Sequence, residues 1–194
     1  MKNSFDQIPQ SFISKWQGIA DLLAKIIGVP AALIMKVENE YMEVFISSKS
    51  DNNPYHVGDK EHWNGLYCET VIKSQNKLKV PNALKDEKWD KNPDIKLGMV
   101  SYFGFPLNFP DGEPFGTICV LDRKENTYSE EYDQLLMQFK SVVELDLAMI
   151  QSLKITQDIS ENELVDRLLL QNKALIKSEE RFRSLAEIAA DSII

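Results

Sequence analysis

Cysteine is scarce: Cys68 and Cys119 are the two in 194 residues. That is too few for a disulfide framework and points to a reducing compartment, here the cytoplasm. Long apolar runs are missing as well. No stretch approaches the roughly 18 uninterrupted apolar residues of a membrane span. Met1 to Gln10 lacks the charged head and apolar run of a signal peptide. Positive charge is in the minority, with 22 basic against 30 acidic residues and a formal net charge of -8. A phosphate backbone would meet net repulsion without any basic stripe, so nucleic acid is not an expected partner. No glycine-rich phosphate cradle and no serine, histidine and acid grouping in motif context occurs. Catalysis has little to build on, and the chain is not expected to be an enzyme in its own right.

What is present is ordinary globular usage, 43% hydrophobic and 27% charged, enough for one packed core. Phe12, Trp16, Ile19, Leu23 and Ile26 recur at helical spacing, with Gly28 as the left-handed stop and Pro30 as the barrier beyond it. Leu33, Met35 and Val37 alternate, then Met42, Val44 and Ile46 do so after Glu38-Asn39-Glu40, which predicts a β-hairpin. Ser47 to Asp59 reads as a surface loop, and a second helix is expected from near Asn64, with Tyr67, Cys68, Val71 and Ile72 on one face. Leu78 and Val80 make a short strand ending at Pro81.

Residues 81 to 99 form a polar connection too long for a turn, with Trp89, Leu97 and Met99 embedded in it; such connections are commonly lids or binding loops. Ser101 to Leu107 and Phe115 to Leu121 are two further strands, joined through Asp111-Gly112. In the second of them Phe115, Thr117, Cys119 and Leu121 are expected to point one way, and Gly116, Ile118 and Val120 the other.

No glycine or proline follows Gly116. Thr127 with Glu130 fits a capping box, or Ser129 caps directly, and the helical pattern then runs on through Leu135, Leu136, Phe139, Val142, Val143, Met149, Ile150 and Leu153. A helix from about 129 to about 185 would be on the order of 85 Å long, which demands a partner. Leu168, Leu175 and Phe182 recur every seven residues, with Val165 ahead of them and Asn172 and Glu179 at companion positions. The heptad is imperfect, and the polar run from Thr156 to Ser160 marks a register slip. A loosely fitted homodimer through this C-terminal helix is the expectation; the pattern leaves parallel and antiparallel pairing open.

Local sequence is more specific than element order. Gly65-Leu66-Tyr67-Cys68-Glu69-Thr70-Val71-Ile72, Leu78-Lys79-Val80-Pro81-Asn82-Ala83, Trp89 with Asn92-Pro93-Asp94, Ser101-Tyr102-Phe103-Gly104-Phe105-Pro106-Leu107 and Pro110-Asp111-Gly112-Glu113-Pro114-Phe115-Gly116 follow in order. Together they resemble the GAF domains found at the front of sensor histidine kinases and diguanylate cyclases. The resemblance implies an α+β fold, an antiparallel six-stranded sheet with helices on one face and a ligand pocket under the long connection on the other. The run from Ser178-Glu179-Glu180-Arg181-Phe182 to Asp191-Ser192-Ile193-Ile194 resembles the opening of a PAS domain. The expected organisation is a sensory domain over 1–150, a signalling helix over 151–180 and the start of a PAS domain over 181–194, with an output domain downstream.

As a ligand-binding set the sequence offers Tyr67, Cys68, Trp89, Asn92, Asp94, Met99, Tyr102, Phe103 and Cys119, aromatic and apolar groups with a few polar ones, as small-molecule pockets require. Two readings of the aromatic residues stand: they line a pocket, or they fill a closed core. The ligand and any cofactor are unknown from sequence. Bilin-holding GAF domains carry a cysteine followed by histidine, whereas Glu69 follows Cys68. GAF domains that reduce free methionine sulfoxide gather several cysteines, and two is a poor match. His56 and His62 are expected in a solvated loop rather than on a metal.

Overall fold

The computed structural model describes residues 8–191, with the backbone alone at 174–175 and 178–191. The PAS-like run and the seam positions Leu175, Glu179 and Phe182 lie outside the described side chains. The chain divides into two units, Met1–Met149 and Ile150–Ile194.

The first unit opens with α1 (Gln10–Ile27), which buries Trp16, Ile19, Ala20, Leu23, Ala24 and Ile27. Its stripe rotates at the end, where Ile27 rather than Ile26 is buried. Gly28, at φ 73, donates its N–H to the carbonyl of Ala24 and stops the helix as its sequence position implies.

Six strands follow, β1 (Ala31–Glu38), β2 (Tyr41–Ser47), β3 (Lys60–His62), β4 (Leu78–Val80), β5 (Ser101–Asn108) and β6 (Pro114–Asp122). They form one antiparallel sheet in the order β3-β2-β1-β6-β5-β4. Helix α2 (Tyr67–Ser74) sits between β3 and β4 in sequence, and α3 (Glu130–Asp191) is the last element among the described residues. The fold is α+β, as expected. Strand β3 has no apolar alternation to announce it; Lys60, Glu61 and His62 pair along the edge of β2.

Two irregularities correct the simple alternation. Between Ile34 and Met35 the register shifts, so that Ile46 pairs with Ile34 and Val44 with Met35, leaving Phe45 unopposed. The same happens at Phe115, between Pro114 and Gly116. Each extra residue turns toward α1. Phe45 and Phe115 pack edge-on against Trp16 at centroid distances of 6.0 and 5.9 Å, and against each other at 5.9 Å. Phe115 therefore does not share a face with Thr117, Cys119 and Leu121.

Trp16 is fully buried, and its indole N–H donates to the Asp146 carboxylate of α3 at 2.9 Å, which Lys15 also engages at 2.8 Å. The Asn108 backbone N–H donates to Glu144 of α3 at 2.9 Å. The start of α3 and α1 thus cover one face of the sheet. Ser129, not Thr127, stands just before the helix, and its carbonyl accepts the N–H of Asp133. In the second unit Leu153, Ile155, Ile159, Leu164, Val165, Leu168, Leu169, Leu170 and Ile176 are exposed. Among the described residues no helix is long and apolar enough to cross a membrane.

Candidate functional site

The opposite face of the sheet carries a second apolar cluster, in which Leu33, Met35, Met42, Val44, Cys119 and Leu121 of the strands meet Leu66, Tyr67, Cys68 and Val71 around α2. The connection from 81 to 99 closes over it. That connection is not loose: Asn82 and Asn92 each cap a 3-10 turn, Ala83–Lys85 and Pro93–Leu97, by accepting the N–H two residues on. Asn92 also donates to the carbonyl of Gly65 at 3.0 Å, tying the connection to the entry of α2.

Between connection and sheet lies a cavity of about 460 Å³, lined by Leu33, Met35, Met42, Val44, Leu66 and Leu121 together with Tyr55, Cys68, Asp94, Tyr102 and Cys119. The size suits a small organic molecule. Asp59, Lys60, Glu61, Pro93, Lys96 and Leu97 add the rest of the rim.

Four of the nine residues singled out from sequence are brought together on the wall: Cys68, Asp94, Tyr102 and Cys119. The other five serve elsewhere. Tyr67 stacks on Tyr102 at 4.6 Å and touches Trp89 at 4.8 Å, forming an aromatic column behind the wall. Met99 is buried in the same cluster, and Asn92 holds the connection. Phe103 alternates onto the other face, against Phe105 and Tyr128. His56 and His62 lie near Asp59 and Glu40, and no group of three metal-ligating side chains is found among the described residues.

The polar floor is built around Cys68, the second residue of α2. Thr117 donates its hydroxyl proton to the Cys68 sulfur at 3.3 Å, and the Tyr102 hydroxyl lies 3.8 Å from it. Gly104 makes this possible, because a Cβ there would come within 2.3 Å of the Tyr102 hydroxyl and 2.8 Å of the Cys119 Cβ. The adjacent Cys119 thiol, with Thr117 and Tyr102 adding donors, draws the Cys68 thiol down against the effect of burial, while Cys119 itself is pushed up by Cys68 and burial.

Tyr55 is the site residue that sequence reading missed. Its hydroxyl donates to the Asp94 carboxylate at 2.7 Å across 39 positions of chain. Burial, then the Asp94 charge, push the Tyr55 hydroxyl far up, so it stays a donor. Asp94 keeps part of its surface open to the cavity while protein encloses its carboxyl on most sides. Burial raises that carboxyl above its ordinary range, the Tyr55 donor opposes the rise, and Glu61 adds to it.

A raised folded-state value means that the native state holds its proton more tightly than the unfolded chain does. The associated stability is complete at low pH and is lost as pH rises through the folded value. Asp94→Asn is therefore expected to raise stability at pH 7 by about 0.5–2 kcal/mol, the range common for single stabilising substitutions. The gain should shrink as pH falls toward the ordinary carboxylate range. Urea unfolding of both proteins at pH 7 and pH 4 checks this.

The GAF-domain family model matches residues 14–146. Among curated proteins the chain is similar to a diguanylate cyclase, DgcP of Escherichia coli strain K12, at 30% identity over 169 residues, which is 86% of this chain and 46% of that protein. The chain thus spans about half the length of that relative. Among solved structures it resembles the GAF domain of Thermosynechococcus elongatus PixJ in its blue-light absorbing form, with a TM-score of 0.63 at 14% identity, covering 80% of this chain and 98% of that one. It also resembles the GAF domain of an Acinetobacter phosphoenolpyruvate-protein phosphotransferase, with a TM-score of 0.59 at 16% identity, covering 74% and 85%. A third likeness is to a type II free methionine-R-sulfoxide reductase from Thermoplasma acidophilum, with a TM-score of 0.55 at 16% identity, covering 74% and 94%. At such identities these structures speak to fold alone, and with the family match over most of the sheet and its helices, the chain belongs to the GAF-domain family.

Proposed function

We propose that this GAF domain is the input module of a signalling protein, binding a small molecule in the Asp94–Tyr102 cavity and passing its state to α3. In this reading residues 1–150 sense, 151–180 form a paired signalling helix, and 181–194 open a PAS domain that leads to a cyclase or histidine kinase output in the cytoplasm. The diguanylate cyclase relative and the PAS-like sequence support that context.

One observation carries the transmission step. Tyr102 of the cavity wall sits in β5 between Ser101 and Phe103, and both neighbours hold Tyr128. The Ser101 and Tyr128 hydroxyls are 3.0 Å apart, and the Phe103 and Tyr128 rings are 5.4 Å apart. Lys79 donates to the Tyr128 carbonyl at 2.9 Å and lies over the Phe103 ring. Tyr128 has φ 48, a left-handed conformation that a tyrosine adopts only when its surroundings enforce it. Two residues later α3 begins, with Asp133 bridging to Lys77 and Lys79 of the β4 region. A ligand that shifts Tyr102 therefore works on a strained joint directly before the helix, and it can bias the helix only by its differential affinity for the two arrangements.

The test fills the cavity by substitution. A spin label at Lys173→Cys, introduced while the two native thiols stay buried, reports the spacing between paired helices. Val44→Phe, which places a ring in the cavity, is expected to shift that spacing by about 1–2 Å, as helix displacements at interfaces do. The shift should vanish when Tyr128→Ala is added. An unchanged spacing in the Val44→Phe protein would refute transmission.

A thiol-enzyme reading has one observation in its favour, the Cys68 sulfur set beside Cys119 with the Thr117 hydroxyl donating to it at 3.3 Å. Rapid alkylation of Cys68 at pH 7 would support it; labelling that waits on unfolding supports the sensor.

A further inference from the structure

Resting on the reading of the cavity as a binding site, we propose that its ligand is a small organic cation, an apolar body bearing a protonated amine that docks on the Asp94 carboxylate.

The cavity wall is mostly aliphatic, contributed by Leu33, Met35, Met42, Val44, Leu66 and Leu121. In that setting one carboxylate, Asp94, faces the open space. It receives the Tyr55 hydroxyl at 2.7 Å, which fixes its orientation. No basic side chain among the described residues pairs with it, and a second acid, Glu61, pushes its carboxyl further up. A carboxylate away from bulk water is stable only with a counter-charge and its hydrogen bonds. Here the protein supplies a neutral donor on one side and leaves the counter-charge to come from elsewhere.

The rim reinforces the sign. Asp59 and Glu61 are acidic, and Lys60 between them is committed to Glu38 and Glu43. Lys96, exposed on the turn that carries Asp94, is the remaining base of the lining. An anionic head group entering the cavity would meet Asp94 with no opposing charge paired to it. A neutral molecule would leave the carboxylate as it is. An ammonium supplies both the charge and donors, in the strong charge-assisted form. The apolar remainder of such a molecule would lie over Met35, Met42 and Val44, with its far end toward the Cys68, Cys119 and Tyr102 floor.

The experiment is isothermal titration of the full chain with three probes that share one ring and differ in one group: phenethylamine, 2-phenylethanol and 3-phenylpropionate. Phenethylamine is expected to bind in the millimolar range or tighter and at least about tenfold more tightly than the alcohol, the margin of one hydrogen bond to a charged group. The carboxylate probe should not compete. Asp94→Asn should bring amine and alcohol to parity, and Tyr55→Phe should weaken the amine alone. Thermal unfolding of both variants confirms that they fold. Equal binding of all three probes, or preference for the carboxylate, overturns the amine assignment and leaves the cavity standing as a ligand site. Failure of all three to bind at millimolar concentration overturns the assignment and the binding role of the cavity together.

Discussion

Gly116→Ala is expected to leave little or no folded protein, with a loss of about 4 kcal/mol or more, the range reserved for severe disruption. The reason lies in how closely β6 passes β1. A Cβ at Gly116 would stand 1.7 Å from the Met35 carbonyl oxygen and 2.7 Å from its carbon, both backbone atoms. No rotamer change can relieve that contact, so the paired strands at the middle of the sheet would have to part. The position is next to Phe115, whose bulge seats the ring under Trp16, so parting the strands also undoes the packing of α1. A domain with a total stability of about 5–15 kcal/mol has little reserve for this. Gly18→Ala is the control. Its Cβ would meet nothing within 4 Å in the middle of α1, and it should stabilise by about 0.5–1 kcal/mol. Expression level and guanidinium unfolding of the two variants give the comparison; a folded Gly116→Ala protein of near-native stability would contradict the strand geometry.

The sequence made some of this plain. Gly28 and Pro30 mark the end of α1, Asp111-Gly112 marks the β5–β6 turn with Gly112 at φ 85, and the absence of glycine and proline after Gly116 leaves a helix free to run through Glu130–Asp191. Those features are local, set by backbone preferences that single residues announce. What stayed hidden depends on pairing. The bulges at Phe45 and Phe115 arise because two strands of different residue count must stay in register across β1 and β5, which no single strand discloses. They also explain why Phe115 left the expected face. Strand β3 holds its place by backbone hydrogen bonds to β2 and not by an apolar side. Tyr55 sits in a polar loop, and its meaning comes from Asp94, 39 residues away in another irregular segment. Of the nine site candidates, Cys68, Tyr102 and Cys119 were recognisable as parts of one wall, whereas Trp89, Tyr67 and Met99 look identical in sequence whether they line a cavity or back one.

Loss of pairing along α3 is the second large effect expected. Val165 and Leu168 are exposed on α3, and Leu164, Leu169 and Leu170 are exposed with them. The proposed pairing would cover these solvent-facing aliphatics, and the stability of such a helix would then come from association. Burying a valine and a leucine side chain against a partner contributes about 1.5–3 kcal/mol each. Replacing both with glutamate in each copy removes that gain and sets like charges across the seam. The dimer constant should weaken by at least about a hundredfold. The cavity and sheet lie in the other unit of the chain and should keep their thermal transition.

Sedimentation equilibrium of the intact chain beside its Val165→Glu/Leu168→Glu variant tests the claim on which transmission depends. A dimer is expected for the first and a monomer for the second at the same micromolar concentration; a monomer in both, or dimers of equal strength, would contradict pairing through α3.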